Sequence, residues 1–378
     1  MANMIKVELN KDIKVNKRLL NYLNPDYVYI PLEKDYKLTI KTGDNLKKED
    51  IILSNKDNYI YSPISGKVLG AAGMRVGQTN NKKVIVIEND FREKNKRVGG
   101  IKRFIDKYTP DEVMSLTKEF NAFKKPFKGN ILIINGIDLE PHVFTKSFLI
   151  GEYINEILET VDALYNIFDF KKCIFAIKNN DGENVDQLVN HVGTYPNIEL
   201  KLLPDLYPMG DAKNLTDKLI SKKQHENVLH LSVAEIYAIY NVLKRKRPIT
   251  EILVTVTGDN ISKGGVLNVK IGTLLKDIIK ENFILFDNQY RVIINGLMGG
   301  YEINTLDFVI TEDVSSIFIM KKPKHLPKKC INCGMCHNNC PRKCDPRSGY
   351  KIENCNKCGI CSYICPANIN FKLKENNQ

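Results

Sequence analysis

Nine of the ten cysteines of this 378-residue chain lie between Cys330 and Cys365, and eight of them form two runs of one spacing. The first run is Cys330-x-x-Cys333-x-x-Cys336-x-x-x-Cys340-Pro341, and the second is Cys355-x-x-Cys358-x-x-Cys361-x-x-x-Cys365-Pro366. A secreted disulfide scaffold would spread its bridges through the fold. Crowded thiols at short fixed spacing point instead to soft metal ligands in a reducing compartment. The intervening residues suit that role. Gly334 and Gly359 let backbone approach a bound group, and Pro341 and Pro366 help turn the chain after each fourth cysteine. The stretch from Met1 to Lys11 has no apolar signal core, which predicts a cytoplasmic protein.

The doubled register is similar to that of the bacterial two-cluster ferredoxins, in which the fourth cysteine of each run serves the other cluster. It implies two [4Fe–4S] clusters, one held by Cys330, Cys333, Cys336 and Cys365, the other by Cys355, Cys358, Cys361 and Cys340. Two zinc sites are the alternative, because CxxC pairs also bind zinc tetrahedrally. Cys344 fits neither register and reads as a free thiol. Cys173 reads as a core residue of a strand, and His337 as a packing or surface residue. Two neighbouring clusters form a wire for single electrons rather than a catalyst.

The rest of the chain divides by pattern into a multidomain α/β protein. Residues 1–90 are mainly β, with alternating apolar positions at Asp26–Leu32 and Tyr36–Ile40 and a strand at Val84–Glu88. A basic linker with Gly99-Gly100 runs from Arg92 to Arg103. Residues 104–248 alternate strand and helix: strands at Asn130–Asn135, Cys173–Ile177 and Ile198–Leu203, helices at Phe148–Phe168 and Glu183–His191. That alternation predicts a parallel sheet with covering helices. Residues 249–320 return to β around a short helix at Leu274–Lys280. A Pro- and Lys-rich linker at Lys321–Lys329 leads into the cysteine module at 328–372, and a frayed tail follows.

The net charge of +12 favours acidic partners such as small redox proteins or an anionic membrane surface. Nucleic acid is excluded as a partner, since no recognition motif is present and there is no Trp for base stacking. No apolar run approaches the roughly 20 residues a membrane-spanning helix needs.

With these elements in place, residues 26–370 resemble the C subunit of the Rnf-type electron-transport complex and the related cobalamin-reductase and proline-reductase-associated electron-transfer proteins. Lys41-Thr-Gly-Asp44 and Tyr61-Ser-Pro-Ile-Ser-Gly-Lys-Val68 look like the family's N-terminal β barrel-sandwich module. Val254–Gly258 through Ile271–Thr273 resembles its β-grasp domain of the SLBB type, and the cysteine tail its ferredoxin-like module. The central region resembles the flavin- and NADH-binding domain of the respiratory complex I flavoprotein. Asn135-Gly-Ile-Asp-Leu-Glu-Pro141 is similar to the strand-end motif beside the flavin, which would make Asn135, Asp138 and Glu140 the flavin-side residues. Tyr207-Pro-Met-Gly210 is similar to a second element near the cofactors. The resemblance implies protein redox partners within a membrane-associated complex or a reductase, with flavin mononucleotide and NADH as cofactors.

The chain departs from that family where the flavin pocket should be. The glycine-rich loop expected before Asn135 is replaced by residues 115–129, with one glycine, at Gly129, and with Phe120, Phe123 and Phe127. Ala212 replaces a common acidic residue, and Ser232 a common Asn. Lys124, Lys125 and Lys128 read as an exposed cluster. The expected function is therefore electron transfer through the two clusters, with the α/β domain as scaffold. An active flavin-dependent NADH dehydrogenase and a structural assembly component are the alternatives.

Overall fold

In the computed structural model the described residues are 4–20, 24–56, 58–78, 80–94, 103–323 and 327–371. Most of the first linker, the middle of the second and the tail from 372 lie outside them. The fold is mixed α/β and built on four sheets.

Strands Tyr27–Pro31, Asn80–Asn89, Gly66–Val76 and Asn45–Leu46 form one antiparallel sheet; Lys37–Leu38, Ile51–Asn55 and Asn58–Tyr61 form a second. Their inward residues, among them Val28, Ile30, Ile52, Val68 and Ile87, make one small apolar core. Alternation along Tyr27–Pro31 is what allows this, since every second side chain faces the same side.

The central sheet is fully parallel, in the order Ile198–Leu203, Lys172–Lys178, Ile131–Asn135, Val228–Ser232. All five residues of Ile131–Asn135 are buried, as a strand covered by helices on both faces requires. Helices Thr145–Ile167, Gly182–Val192, Ala212–Leu219 and Val233–Arg245 connect and cover the strands. Strand order reverses between Ile131–Asn135 and Val228–Ser232. In doubly wound sheets the crevice at such a reversal is where ligands bind. Asn135 and Ser232 stand opposite each other there.

The third unit is a six-stranded mixed sheet containing Glu251–Thr257, Gly264–Lys270, Tyr290–Ile294, Tyr301–Ile303 and Ser316–Lys321, with helix Leu275–Asn282 packed on it. Its edge strand is Val15–Leu20, which pairs in parallel with Gly264–Lys270. Val15–Leu20, the first strand among the described residues, thus joins this sheet and not the two N-terminal sheets. Gly265 makes this possible, because a Cβ there would stand 2.6 Å from the Leu20 side chain.

The segment leading to that strand straps three loops at the carboxyl edge of the parallel sheet. Ile5 and Tyr207 exchange backbone hydrogen bonds at 2.9 and 2.8 Å, the Asn10 N–H donates to His142 Nε2 at 3.2 Å, and Lys17 pairs with Asp181 at 3.2 Å. Burial holds the His142 pKa below the ordinary value, so the folded protein binds fewer protons there than the unfolded chain. That stabilisation is complete above about pH 6.5 and is lost as pH falls through the lower folded value. Hydrogen exchange at the Asn10 amide, corrected for intrinsic rate, is expected to lose protection between about pH 7 and pH 5.

Candidate functional site

Each cysteine run folds into the same backbone. In the first, Asn332 and Gly334 have φ of 54° and 75°, and Lys343 has φ of 56°; at the matching positions of the second, Lys357 and Gly359 have 56° and 76°, and Asn368 has 54°. A one-turn helix follows each glycine, Met335–Asn338 in the first run and Ile360–Tyr363 in the second. After each fourth cysteine the chain turns back, with Lys343 N–H donating to Cys340 O at 3.1 Å and Asn368 N–H to Cys365 O at 3.0 Å. Glycine suits the left-handed position inside each loop.

The two runs interlock. Cys330, Cys333 and Cys336 line one pocket together with Cys365 of the other run. Cys358 lies within electrostatic reach of Cys355, Cys361 and Cys340. Each set is thus three thiols from one run and the last thiol of its partner run, a donor chemistry that fits iron–sulfur cores. Among the described residues no three His, Cys, Asp or Glu side chains gather around a single-ion position. The four irons of a cubane hold their thiolates further apart than one ion does. Cys344 is buried, its N–H donating to Cys340 Sγ at 3.2 Å, and His337 Nδ1 is 3.2 Å from Cys344 O. Cys173 is buried in the central sheet, where burial pushes its thiol up to about 12.

The cysteine module is seated on the carboxyl edge of the parallel sheet. Ile360 packs with Tyr207 and Met298, and Arg342 pairs with Asp211 at 3.0 Å. The Tyr207 hydroxyl stands 2.6 Å from Cys358 O and 3.0 Å from Glu140 Oε1, and its one proton serves one of them at a time. Burial pushes the Tyr207 phenol far up, so it stays protonated. Glu140 Oε2 accepts from the Met298 N–H at 2.8 Å and Oε1 from the Gly299 N–H at 2.7 Å.

The loop Asn295-Gly-Leu-Met-Gly-Gly300 therefore wraps the Glu140 carboxylate in backbone donors, a small anion-holding nest. Sequence reasoning passes over this loop. Its signal is three glycines in six residues directly after a β-branched strand. At Gly296, with φ of +114°, a Cβ would stand 2.1 Å from Glu140 Cγ. Gly296→Ala is expected to cost at least about 2 kcal/mol, measured by denaturant unfolding, because both the backbone and the carboxylate must move.

The other two residues of the strand-end motif are also engaged within the fold. The Asn135 amide donates to Gly210 O at 2.8 Å and its oxygen accepts from the Ile137 N–H at 3.1 Å. Asp138 accepts from the N–H groups of Lys146 and Ser147 at 2.9 and 3.0 Å, at the start of helix Thr145–Ile167. It supplies the cap that Phe144 lacks, where the helix dipole favours an anion. Lys146 is half-buried beside it and donates to Ile137 O at 2.8 Å. Burial pushes the Asp138 carboxyl up and the Lys146 ammonium down.

In residues 115–129, Phe120 and Phe123 are buried, Phe127 stacks on Phe168 at 4.4 Å, and Phe120 meets Tyr61 of the N-terminal sandwich at 6.0 Å. Lys124 pairs with Glu312 at 3.2 Å. Ser232 caps helix Val233–Arg245 in a capping box with Glu235. A basic groove lined by Lys48, Tyr237, Arg245 and Arg247 lies at the far end of that helix, about 20 Å along its axis from Ser232.

Residues 117–243 match the model of the Nuo51 FMN-binding domain. The chain is 26% identical over 356 residues to the C subunit of the ion-translocating oxidoreductase complex of Buchnera aphidicola, covering 86% of this chain and 75% of that one. It is 28% identical over 230 residues to the protein of the same name from Pectobacterium carotovorum, covering 58% of this chain and 31% of the relative, and 27% identical over 234 residues to that of Haemophilus influenzae strain Rd, covering 59% and 29%. It thus spans three quarters of the first relative and about a third of the other two. An NAD+-reducing [NiFe]-hydrogenase in its H2-reduced state overlaps at 12% identity and a TM-score of 0.46, over 60% of this chain and 51% of that one, too loosely to assign a fold. Sheet order and family model together define the class, a mixed α/β chain with a flavoprotein-type central region. Within that class, the chain is similar to the C subunits of ion-translocating oxidoreductase complexes.

Proposed function

We propose that this chain transfers electrons through two [4Fe–4S] clusters as the C-subunit-like component of a larger redox assembly. The carrying observation is the pocket that joins Cys330, Cys333 and Cys336 to Cys365 across the repeat. Cys355, Cys358, Cys361 and Cys340 form the second ligand set. When bound, such clusters supply one-electron steps. The chain's own residues hold the thiols, turn the loops and fix the module against Tyr207 and Asp211. In this reading residues 328–372 are a ferredoxin-like module, residues 249–320 a β-grasp unit and the N-terminal sheets a barrel-sandwich. Among the described residues no helix is long and apolar enough to cross a membrane.

The match to a flavin-binding model favours a second reading, an active flavin-dependent NADH dehydrogenase. The polar groups of Asn135, Asp138 and Glu140 that would meet flavin are turned to internal partners, and Phe120 and Phe123 fill the core. These residues do not fit flavin. An anaerobic absorption spectrum with iron, sulfide and flavin assays separates the readings. Two clusters without flavin support the carrier. Stoichiometric flavin that NADH bleaches would overturn it, and a colourless zinc protein would end both.

A further inference from the structure

We infer that the surface around Cys330 and Cys333 is the docking face for a small acidic electron-carrier protein. This rests on the two-cluster reading and names the partner of that site.

The two ligand sets differ in exposure. Cys330 and Cys333 are exposed, whereas Cys355, Cys358, Cys361 and Cys340 are partly covered and Cys358 lies against Tyr207. Cys336 is buried and Cys365 partly covered, so the first set opens to solvent at Cys330 and Cys333, while the second has no fully exposed thiol. Around the outward set, large apolar side chains stand uncovered: Ile331 is 67% exposed, Tyr350 53% and Met335 42%. Ile331 and Met335 line the cysteine pocket itself, together with Arg347. Arg347 reaches Asn332 O at 3.3 Å and Asp345 at 2.6 Å, and Tyr350 meets the His337 ring at 6.5 Å. Ile331 and Met335 thus stand beside the exposed thiols, and Arg347 ties them through Asp345 to the strand bridge that carries Tyr350. Contiguous apolar surface with a polar rim is the anatomy of a protein interface, and small transient ones are typical of redox encounters.

The rim decides the kind of partner. Residues 327–371 hold seven Lys and Arg against two acids, Asp345 and Glu353. Asp345 is engaged by Arg347, and Lys328, Lys329 and Lys351 are exposed. A thiolate-held cluster is anionic, so these cations also offset its charge. Their exposure beyond the ligand loops steers an acidic carrier toward the solvent-facing thiols.

The test uses the anaerobically purified full chain and a small acidic two-cluster ferredoxin as probe, with affinity read by calorimetry. The wild type is expected to bind and to weaken steeply with added salt. Lys328→Glu, Lys329→Glu and Lys351→Glu combined is expected to weaken binding at least tenfold. Ile331→Ala, at an exposed position, is expected to weaken it severalfold. Arg245→Glu with Arg247→Glu, in the remote basic groove, is expected to leave it unchanged. No binding by the wild type, no effect of the rim variants, or loss caused by the groove variant would each overturn the docking face. Iron and sulfide content of the wild type reports separately on the cluster reading, and of each variant on whether its module is intact.

Discussion

Replacing Cys358 by alanine is expected to remove one cluster and leave the other, with iron falling from about eight to about four atoms per chain. Interlocked ligand sets make a sharper forecast. Cys365→Ala should erase the same paramagnetic signal as Cys333→Ala, and Cys340→Ala the same signal as Cys358→Ala. Each pair lies in different runs, and Cys333 and Cys365 line one pocket. The measurement is electron paramagnetic resonance of the reduced protein, with iron and sulfide counts. If Cys365→Ala instead reproduced the loss seen in Cys358→Ala, each run would serve its own cluster and the crossed assignment would fail. Electron transfer through the chain is expected to stop in all four variants. Persistence with the fold intact would favour the structural alternative, in which the clusters only brace the tail.

The second large effect is expected at Glu140. Glu140→Ala strips the Met298 and Gly299 N–H groups of their acceptor inside a buried site and removes a partner of Tyr207. Leaving buried donors unsatisfied costs about 1–3 kcal/mol each, so a loss of about 3–5 kcal/mol is expected on denaturant unfolding. Tyr207→Phe keeps the ring and removes the hydroxyl beside Cys358 O. Its cost is expected to be about 1 kcal/mol, with most of the effect in how firmly the cysteine module is held. Limited proteolysis between the 249–320 unit and the module would show this as faster cleavage in Tyr207→Phe than in wild type. Equal rates would remove Tyr207 from the seat.

Much of this organisation is legible in the residues because the signals are local. Fixed cysteine spacing and a glycine at the same place in each loop describe the repeat, and the backbone repeats with them. Apolar strands such as Ile131–Asn135 and the long helix Thr145–Ile167 announce themselves by period. Helix Pro110–Glu119 carries a readable start, with Thr109 and Glu112 in a capping box and Pro110 after the cap, yet it runs into the stretch where a glycine-rich loop is expected. What could not be read is what distant residues do for each other. Nothing near Glu140 says that Gly299 will cradle it, and nothing near Val15 says that it will lie beside Gly264. The strand-end motif shows the limit most clearly. Asn135, Asp138 and Glu140 keep the spelling of a flavin-side turn while their side chains bond within the protein.

The edge strand Val15–Leu20 also constrains how the molecule assembles. Its partner, Gly264–Lys270, is made some 250 residues later. During synthesis the leading segment must wait, unpaired, while the sandwich and the parallel sheet are produced. Contacts of such long sequence separation are slow to form. Val15–Leu20 is therefore among the last segments to find its place, and its unpaired backbone persists on the nascent protein until the third sheet arrives.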